Sequence, residues 1–136
     1  MKSIKYILLL VVALTALGAS AKPIKTNQVY MFGFSASFKD SVIYVTDIQN
    51  VPGAWIESKN KFLLLRDEYS RQMKDYLEEK LQQEKRVCVI FYYLKKKKAE
   101  KEFLKLMKKY KKGYEVRHVS AAEFKFEPID MSPDLE

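Results

Sequence analysis

The stretch Arg86–Gly113 limits the possible folds more than any other part of the chain. It reads RVCVIFYYL, followed at once by KKKKAEKEFLKLMKKYKKG. Val87–Leu94 is an unbroken apolar run rich in β-branched and aromatic residues, which fit a pleated surface. A run without alternation cannot present one face to water, so it predicts a central strand covered on both faces. In the next segment Ala99, Phe103, Met107 and Tyr110, with Leu106 beside Met107, recur at three- and four-residue steps and make one apolar stripe. Lysines fill the remaining faces. Gly113 is placed to end this helix as the C′ residue, because glycine adopts positive φ without a steric penalty. Lys95–Lys98 crowd the opposite end, where the helix dipole disfavours cations. That placement costs a little stability and so points toward a role for these lysines.

The first 21 residues have a different character. MKSIKYILLLVVALTALGASA carries Lys2 and Lys5, an apolar core from Ile7 to Leu17, and the small residues Ala19-Ser20-Ala21. This is the pattern of a signal peptide over 1–21. The apolar run is shorter than a bilayer-spanning helix needs, and no stop-transfer segment follows. The expectation is an exported protein, periplasmic or secreted, with no transmembrane span in its mature form. Residues 22–127 then make a single domain of ordinary small size, and 128–136 a flexible acidic tail.

Charge is concentrated. The chain has 25 Lys and Arg against 17 Asp and Glu. Segment 95–112 alone holds ten lysines against Glu100 and Glu102, a net of +8, which leaves the rest of the mature chain at −2. The protein is thus a near-neutral body with one basic helix, and such asymmetry creates a local field that attracts anions. The single cysteine, Cys88, cannot form an internal disulfide, and its place in the apolar run predicts an inert core thiol.

Further elements follow from period and punctuation. Val29–Phe38 reads as a strand with Tyr30, Phe32, Phe34, Ala36 and Phe38 on one face and Gly33, Ser35 and Ser37 on the other. The small face admits close approach by a helix or another backbone. Lys39-Asp40 marks a tight turn, and Ser41–Gln49 the return strand, broken by Asn50–Gly53. Lys22–Asn27 reads as a loose lead and Ala54–Leu65 as a loop with a short extended piece. Asp67 is positioned as an N-cap for a helix over Glu68–Gln83, with Tyr69, Met73, Tyr76, Leu77 and Leu81 as its apolar stripe. That helix ends acidic and is placed to lie beside the basic one. Tyr114–Val119 alternates as a further strand, and Ala121–Phe126 is a helical turn or an edge strand. The order ββαβαβ predicts an α+β fold: a two-layer sandwich, with a four-stranded mixed sheet and both helices on one face.

No pattern of known chemistry stands out. One Cys and one His cannot supply the usual zinc ligand set, so no metal site or cofactor is expected. Glu-x-Lys, an element of metal-dependent nucleases, occurs at Glu57-Ser58-Lys59, Glu78-Glu79-Lys80 and Glu123-Phe124-Lys125, and three matches in a chain so rich in Lys and Glu reflect composition. Two function classes remain. The first is a binding module whose basic face, formed by Lys95, Lys96, Lys97, Lys98, Lys101, Lys105, Lys108 and Lys109, meets an anionic lipid, a glycan or an acidic protein. Lysine acts as a point charge without the bidentate fork of arginine, which together with export disfavours nucleic acid. The second is a hydrolytic enzyme using Asp40, Asp47 or His118 beside the Gly33–Ser37 face, which requires these side chains to converge in one pocket.

The segments VYMFGFSASFKDSVIYVTDIQ, FLLLRDEYSRQMKDYLEE and RVCVIFYYLKKKKAEKEFLKLMKKY together resemble small exported proteins of uncharacterised function found in Bacteroidetes. The resemblance covers most of the mature chain. It implies a periplasmic or outer-envelope setting and no active-site residues.

Overall fold

The computed structural model describes residues 22–132. Residues 1–21, read from the sequence as a signal peptide, and residues 133–136 lie outside the described residues. In chain order the elements are β1 (Pro23–Lys25), β2 (Tyr30–Ala36), β3 (Val42–Thr46), β4 (Gln49–Asn50), β5 (Trp55–Glu57), α1 (Arg66–Leu81), β6 (Val87–Tyr93), α2 (Lys96–Tyr110) and β7 (Glu115–Val119).

β2 is the centre of the main sheet. One edge pairs antiparallel with β6 along its whole length, from Tyr30 opposite Tyr93 to Ala36 opposite Val87. The other edge pairs with β3 and then β4, and β7 adds parallel to β3. The class is α+β with a mixed sheet, as the sequence predicts, but the main sheet has five strands and a second sheet joins β1 to β5. The lead segment is therefore not loose, because Ile24 pairs with Ile56. An isolated bridge from Ile56 to Leu63 turns the predicted extended piece into a small hairpin-like fold.

The two helices lie on opposite faces of this sheet, not on one. Alternation along β2 decides this. Met31, Gly33 and Ser35 point to one side, where Tyr69, Met73 and Leu77 of α1 are fully buried with Ile90, Val119 and Phe126. Phe32 and Phe34 point to the other. There Phe103 meets the Phe32 ring edge-on at 5.1 Å, and Tyr110 meets Phe34 at 4.9 Å. Nearly every position of β2 is thus interior, and the two apolar stripes read from the sequence serve two separate cores. The sheet separates the acidic-ended helix from the basic one, so the expected pairing between them does not occur.

Gly33 shows why the small residues of β2 stand where they do. A Cβ built there would overlap Met73 Sδ and come within 3.3 Å of the Phe126 ring. The close approach predicted for this face is made by α1 and by the C-terminal segment, so the face is core and not a groove. β6, predicted as central, is an edge strand covered by a helix on each face. Its continuous apolar run reflects those two covers. The guanidinium of Arg66 donates to the Ile90 carbonyl from Nε at 2.9 Å and Nη2 at 2.6 Å, which satisfies a group on the edge.

Local ends depart from the sequence reading in small ways. Leu65, in the left-handed region at φ 57°, precedes α1 where Asp67 was expected, and Asp67 and Glu68 fall in the first turn, where the dipole favours them. α2 closes on Lys111 in helical geometry, and Gly113 at φ 87° turns the chain two residues later. Ala121–Glu123 forms a turn, after which Phe124 and Phe126 enter the core. No ladder holds this segment. The buried Gln49 amide replaces one: its Nε2 donates to Phe124 O at 2.9 Å, and its Oε1 accepts from Phe126 N at 2.8 Å. Gln72 holds both backbone groups of Glu127 in the same way, each at 2.9 Å.

Two substitutions test this account. Gly33→Ala is expected to lower unfolding free energy by about 1–3 kcal/mol, because the new methyl must displace Met73 or Phe126. Gln49→Ala is expected to cost about 1–3 kcal/mol for each buried backbone group it leaves unpaired. Urea titration measures both, and a neutral Gln49→Ala would show that the rings and the Gln72 contacts anchor the C-terminal segment without Gln49.

Candidate functional site

The basic face is built by α2. Its apolar side is occupied by the sheet: Ala99 is fully buried, and Phe103, Leu106, Met107 and Tyr110 pack against Phe34, Ile43 and Val45. The lysines are forced to the remaining surface. Lys95, Lys96, Lys97, Lys98, Lys101, Lys105, Lys108 and Lys109 are all exposed. The structure therefore brings the whole predicted set onto one solvated helix. Only Lys98 and Lys105 have an ion-pair partner among the described residues, and both use Glu102, at 3.1 and 3.6 Å. The hydrogen bond from Lys98 holds the Glu102 carboxyl below its ordinary range. Lys109 lies over the Tyr110 ring, 5.5 Å from its centre. No side chain caps the N-terminus of α2, and its first turn holds no acid, so the positive field at that end is uncompensated.

α2 sits chiefly over β2 and β6. The β3–β7 side of the same sheet face is left partly open. A groove of about 580 Å³ runs there, lined by Leu104, Met107, Lys108, Lys111, Tyr114 and Val116. Tyr114 packs edge-on against Tyr110 at 5.2 Å and also borders a second hollow of about 330 Å³ near Phe38, Ile43 and Val87. Sequence reasoning assigned no role to Leu104, Lys111 or Val116. The signal was present, because Leu104, Met107 and Lys111 recur at three- and four-residue steps along a flank of the main stripe.

The candidate acid–base residues separate into two places. Asp47 sits in a β-bulge: three steps of β2 from Phe34 to Met31 are matched by four, from Val45 to Gln49. The extra residue re-aims the chain, as bulges do, and Gly33 N donates to Thr46 Oγ1 at 2.8 Å to close it. The Asp47 carboxylate accepts from His118 Nε2 and, at 2.9 Å, from Ala121 N. The His118 bond, then the Ala121 bond, hold its carboxyl below the ordinary value. Asp40 lies beyond the other end of β3. It accepts from Val42 N at 3.0 Å and from Arg86 Nη2 at 2.9 and 3.0 Å. The Val42 bond is the main cause of its lowered pKa, with Arg86 adding to it.

The Asp40, Asp47 and His118 side chains therefore do not meet in one pocket, although Asp47 and His118 meet each other. Cys88 is half-buried, and burial pushes its thiol pKa up. Among the described residues no group of three His, Cys, Asp or Glu side chains is arranged to hold a metal ion, and no helix is long and apolar enough to cross a membrane.

Arg86, to which the sequence reading gave no role, is the one buried cation among the described residues. Its guanidinium also donates to Val42 O at 2.9 Å and stacks on Tyr44, 4.7 Å from the ring centre. These contacts fix the β2–β3 turn to the start of β6 and are structural. Compared with protein-family models, curated proteins and solved structures, the chain shows no significant match.

Acid should weaken the fold through Asp47. Its folded-state pKa is depressed, so it binds a proton more readily in the unfolded chain. The stability it contributes is complete above the unfolded value near 3.8 and is lost as pH falls through the depressed folded value. Asp47→Asn is expected to lower Tm at pH 7 and to shrink the further loss as pH falls from about 4 toward about 2, by thermal melts at about half-unit steps. An unchanged acid loss would show that the carboxylate is not linked to folding.

Proposed function

We propose that this protein is a small exported binding module whose α2 face docks on an anionic component of the cell envelope or on an acidic partner. The observation that carries the reading is the disposition of the eight lysines from Lys95 to Lys109. All are exposed, and only Lys98 and Lys105 are ion-paired among the described residues, both with one glutamate. A helix that needed charge only for solubility would gain from interspersed acids. Here the first turn holds none, and four consecutive lysines oppose the dipole. The apolar stripe supports the sheet, so α2 meets its ligand as a fixed charged surface and not as an inserting helix. Lysine ammonium groups suit diffuse recognition of phosphate, sulfate or carboxylate groups.

The hydrolytic reading has less support, since Asp40 is held by Arg86 away from the Asp47–His118 pair.

Titration against anionic vesicles, lipopolysaccharide, a heparin-like glycan and DNA over a salt series tests the proposal. The expected result is tight binding to one of the first three, weakening as the Debye length contracts from about 10 Å at 0.1 M salt to about 3 Å at 1 M. The quadruple reversal Lys97→Glu, Lys98→Glu, Lys101→Glu and Lys105→Glu should weaken that binding by about tenfold or more, the equivalent of about 1.4 kcal/mol. Binding that ignores both salt and charge reversal would overturn it.

A further inference from the structure

The groove between α2 and β7 combines an apolar lining and Lys111, which the polyanion reading does not use, with Lys108, which it shares. Its walls are apolar, with Leu104, Met107, Tyr114 and Val116, and its only charged lining groups are Lys108 and Lys111. Leu104 is 66% exposed, Tyr114 46% and Val116 37%, so apolar surface stands open to water on both walls. Neither lysine has a carboxylate partner within ion-pair distance among the described residues. The volume of about 580 Å³ is in the range of small-molecule sites.

Three kinds of occupant fit an apolar slot, and the charges separate them. A second copy of the chain would bring another ten-lysine segment against this one, and like charges held together are costly. A peptide would bury its own N–H and C=O groups. The helical lining residues Leu104, Met107 and Lys108 have their backbone groups committed to α2, so a peptide would find backbone partners at most along the outer edge of β7, where the sheet ends. Buried peptide groups without partners are expensive. The edge of β7 is further guarded by the Glu115–Arg117 pair at 3.0 Å. An unbranched hydrocarbon tail carries no such groups, and a terminal anion supplies what Lys108 and Lys111 lack.

We infer that this groove binds a single long-chain fatty acid, its tail between Leu104, Tyr114 and Val116 and its carboxylate at Lys108 and Lys111. This goes beyond the polyanion reading and does not depend on it. The carboxylate accepts hydrogen bonds from the two ammonium groups, and the tail removes exposed apolar surface from water.

The test is isothermal titration of the full chain with dodecanoate below its micellar range, with acetate, decan-1-ol and polyglutamate in parallel. The expected result is saturable binding of one dodecanoate per chain, none of acetate, and binding of decanol weaker by about tenfold. Leu104→Glu puts a carboxylate in the slot and is expected to weaken dodecanoate by about tenfold or more. Leu104 is exposed, so the variant should keep its fold, which circular dichroism verifies. Lys108→Ala with Lys111→Ala should bring dodecanoate down to the level of decanol.

The quadruple reversal at Lys97, Lys98, Lys101 and Lys105 should leave dodecanoate binding intact, and Leu104→Glu should leave polyanion binding intact, so the two readings fail separately. Absence of saturable dodecanoate binding, uptake of many molecules per chain, or binding unchanged in Leu104→Glu would each overturn the inference.

Discussion

The structure depends on one strand being interior on both faces. β2 is bonded along both edges and covered by a helix above and below, so its residues must satisfy two different neighbours in alternation. Toward α2 it offers the rings of Phe32 and Phe34, which fill the space under a helix held off by its own aromatic residues. Toward α1 it offers Gly33 and Ser35, which bring Met73 almost onto the backbone. Close packing of this kind leaves little freedom, since one methylene more or less is felt throughout an interior. The position of α1, the entry of Phe126 and the path of the C-terminal segment all follow from the missing side chain at Gly33.

The polar groups inside this frame are few, and most are committed; Ser35 Oγ and Trp55 Nε1 are the buried side-chain atoms without a partner among the described residues. Arg86 holds the β2–β3 turn through Asp40 and Val42, and the Tyr44 ring covers its guanidinium. The Asp47 bulge faces its carboxylate toward β7 and the turn that follows, where His118 and Ala121 meet it. Each acid that looked available for chemistry in the sequence is bound to a strand end. Their depressed pKa values are what such bonding produces.

Much of this was legible in the residues, and the parts that were not have identifiable reasons. Periodicity located both helices, because each apolar stripe reports burial directly. It could not say that the stripes face different layers, since that depends on which side of β2 each one meets. The continuous run in β6 was read as a central strand, because cover by helices on both faces gives the same pattern as a place in mid-sheet. β1 was missed, because three paired residues leave no periodic trace; the turn at Ala121–Glu123 was read as one of two options, but not the entry of Phe124 and Phe126 into the core, which side-chain amides hold in place of a ladder. The exposed position of the α2 lysines was legible, because they flank an apolar stripe. The groove beside α2 was legible only on its helical wall, where Leu104, Met107 and Lys111 recur, because Val116 joins them only when β7 lies parallel to β3.

The placement of the helices in separate layers also has a consequence for motion. α1 carries Arg66, Arg71, Lys74 and Lys80 against Asp67, Glu68, Asp75, Glu78 and Glu79, a net of −1, while α2 carries seven lysines against two glutamates. Charge is thus separated across the thickness of the sheet, and the protein is an electric dipole with α2 as its positive pole. Within about a Debye length of a negatively charged surface, near 8 Å at physiological salt, such a body feels a torque before it makes contact. It arrives with α2 leading, and its opposite layer, with the Gln49- and Gln72-held C-terminal segment, is left facing the bulk solution.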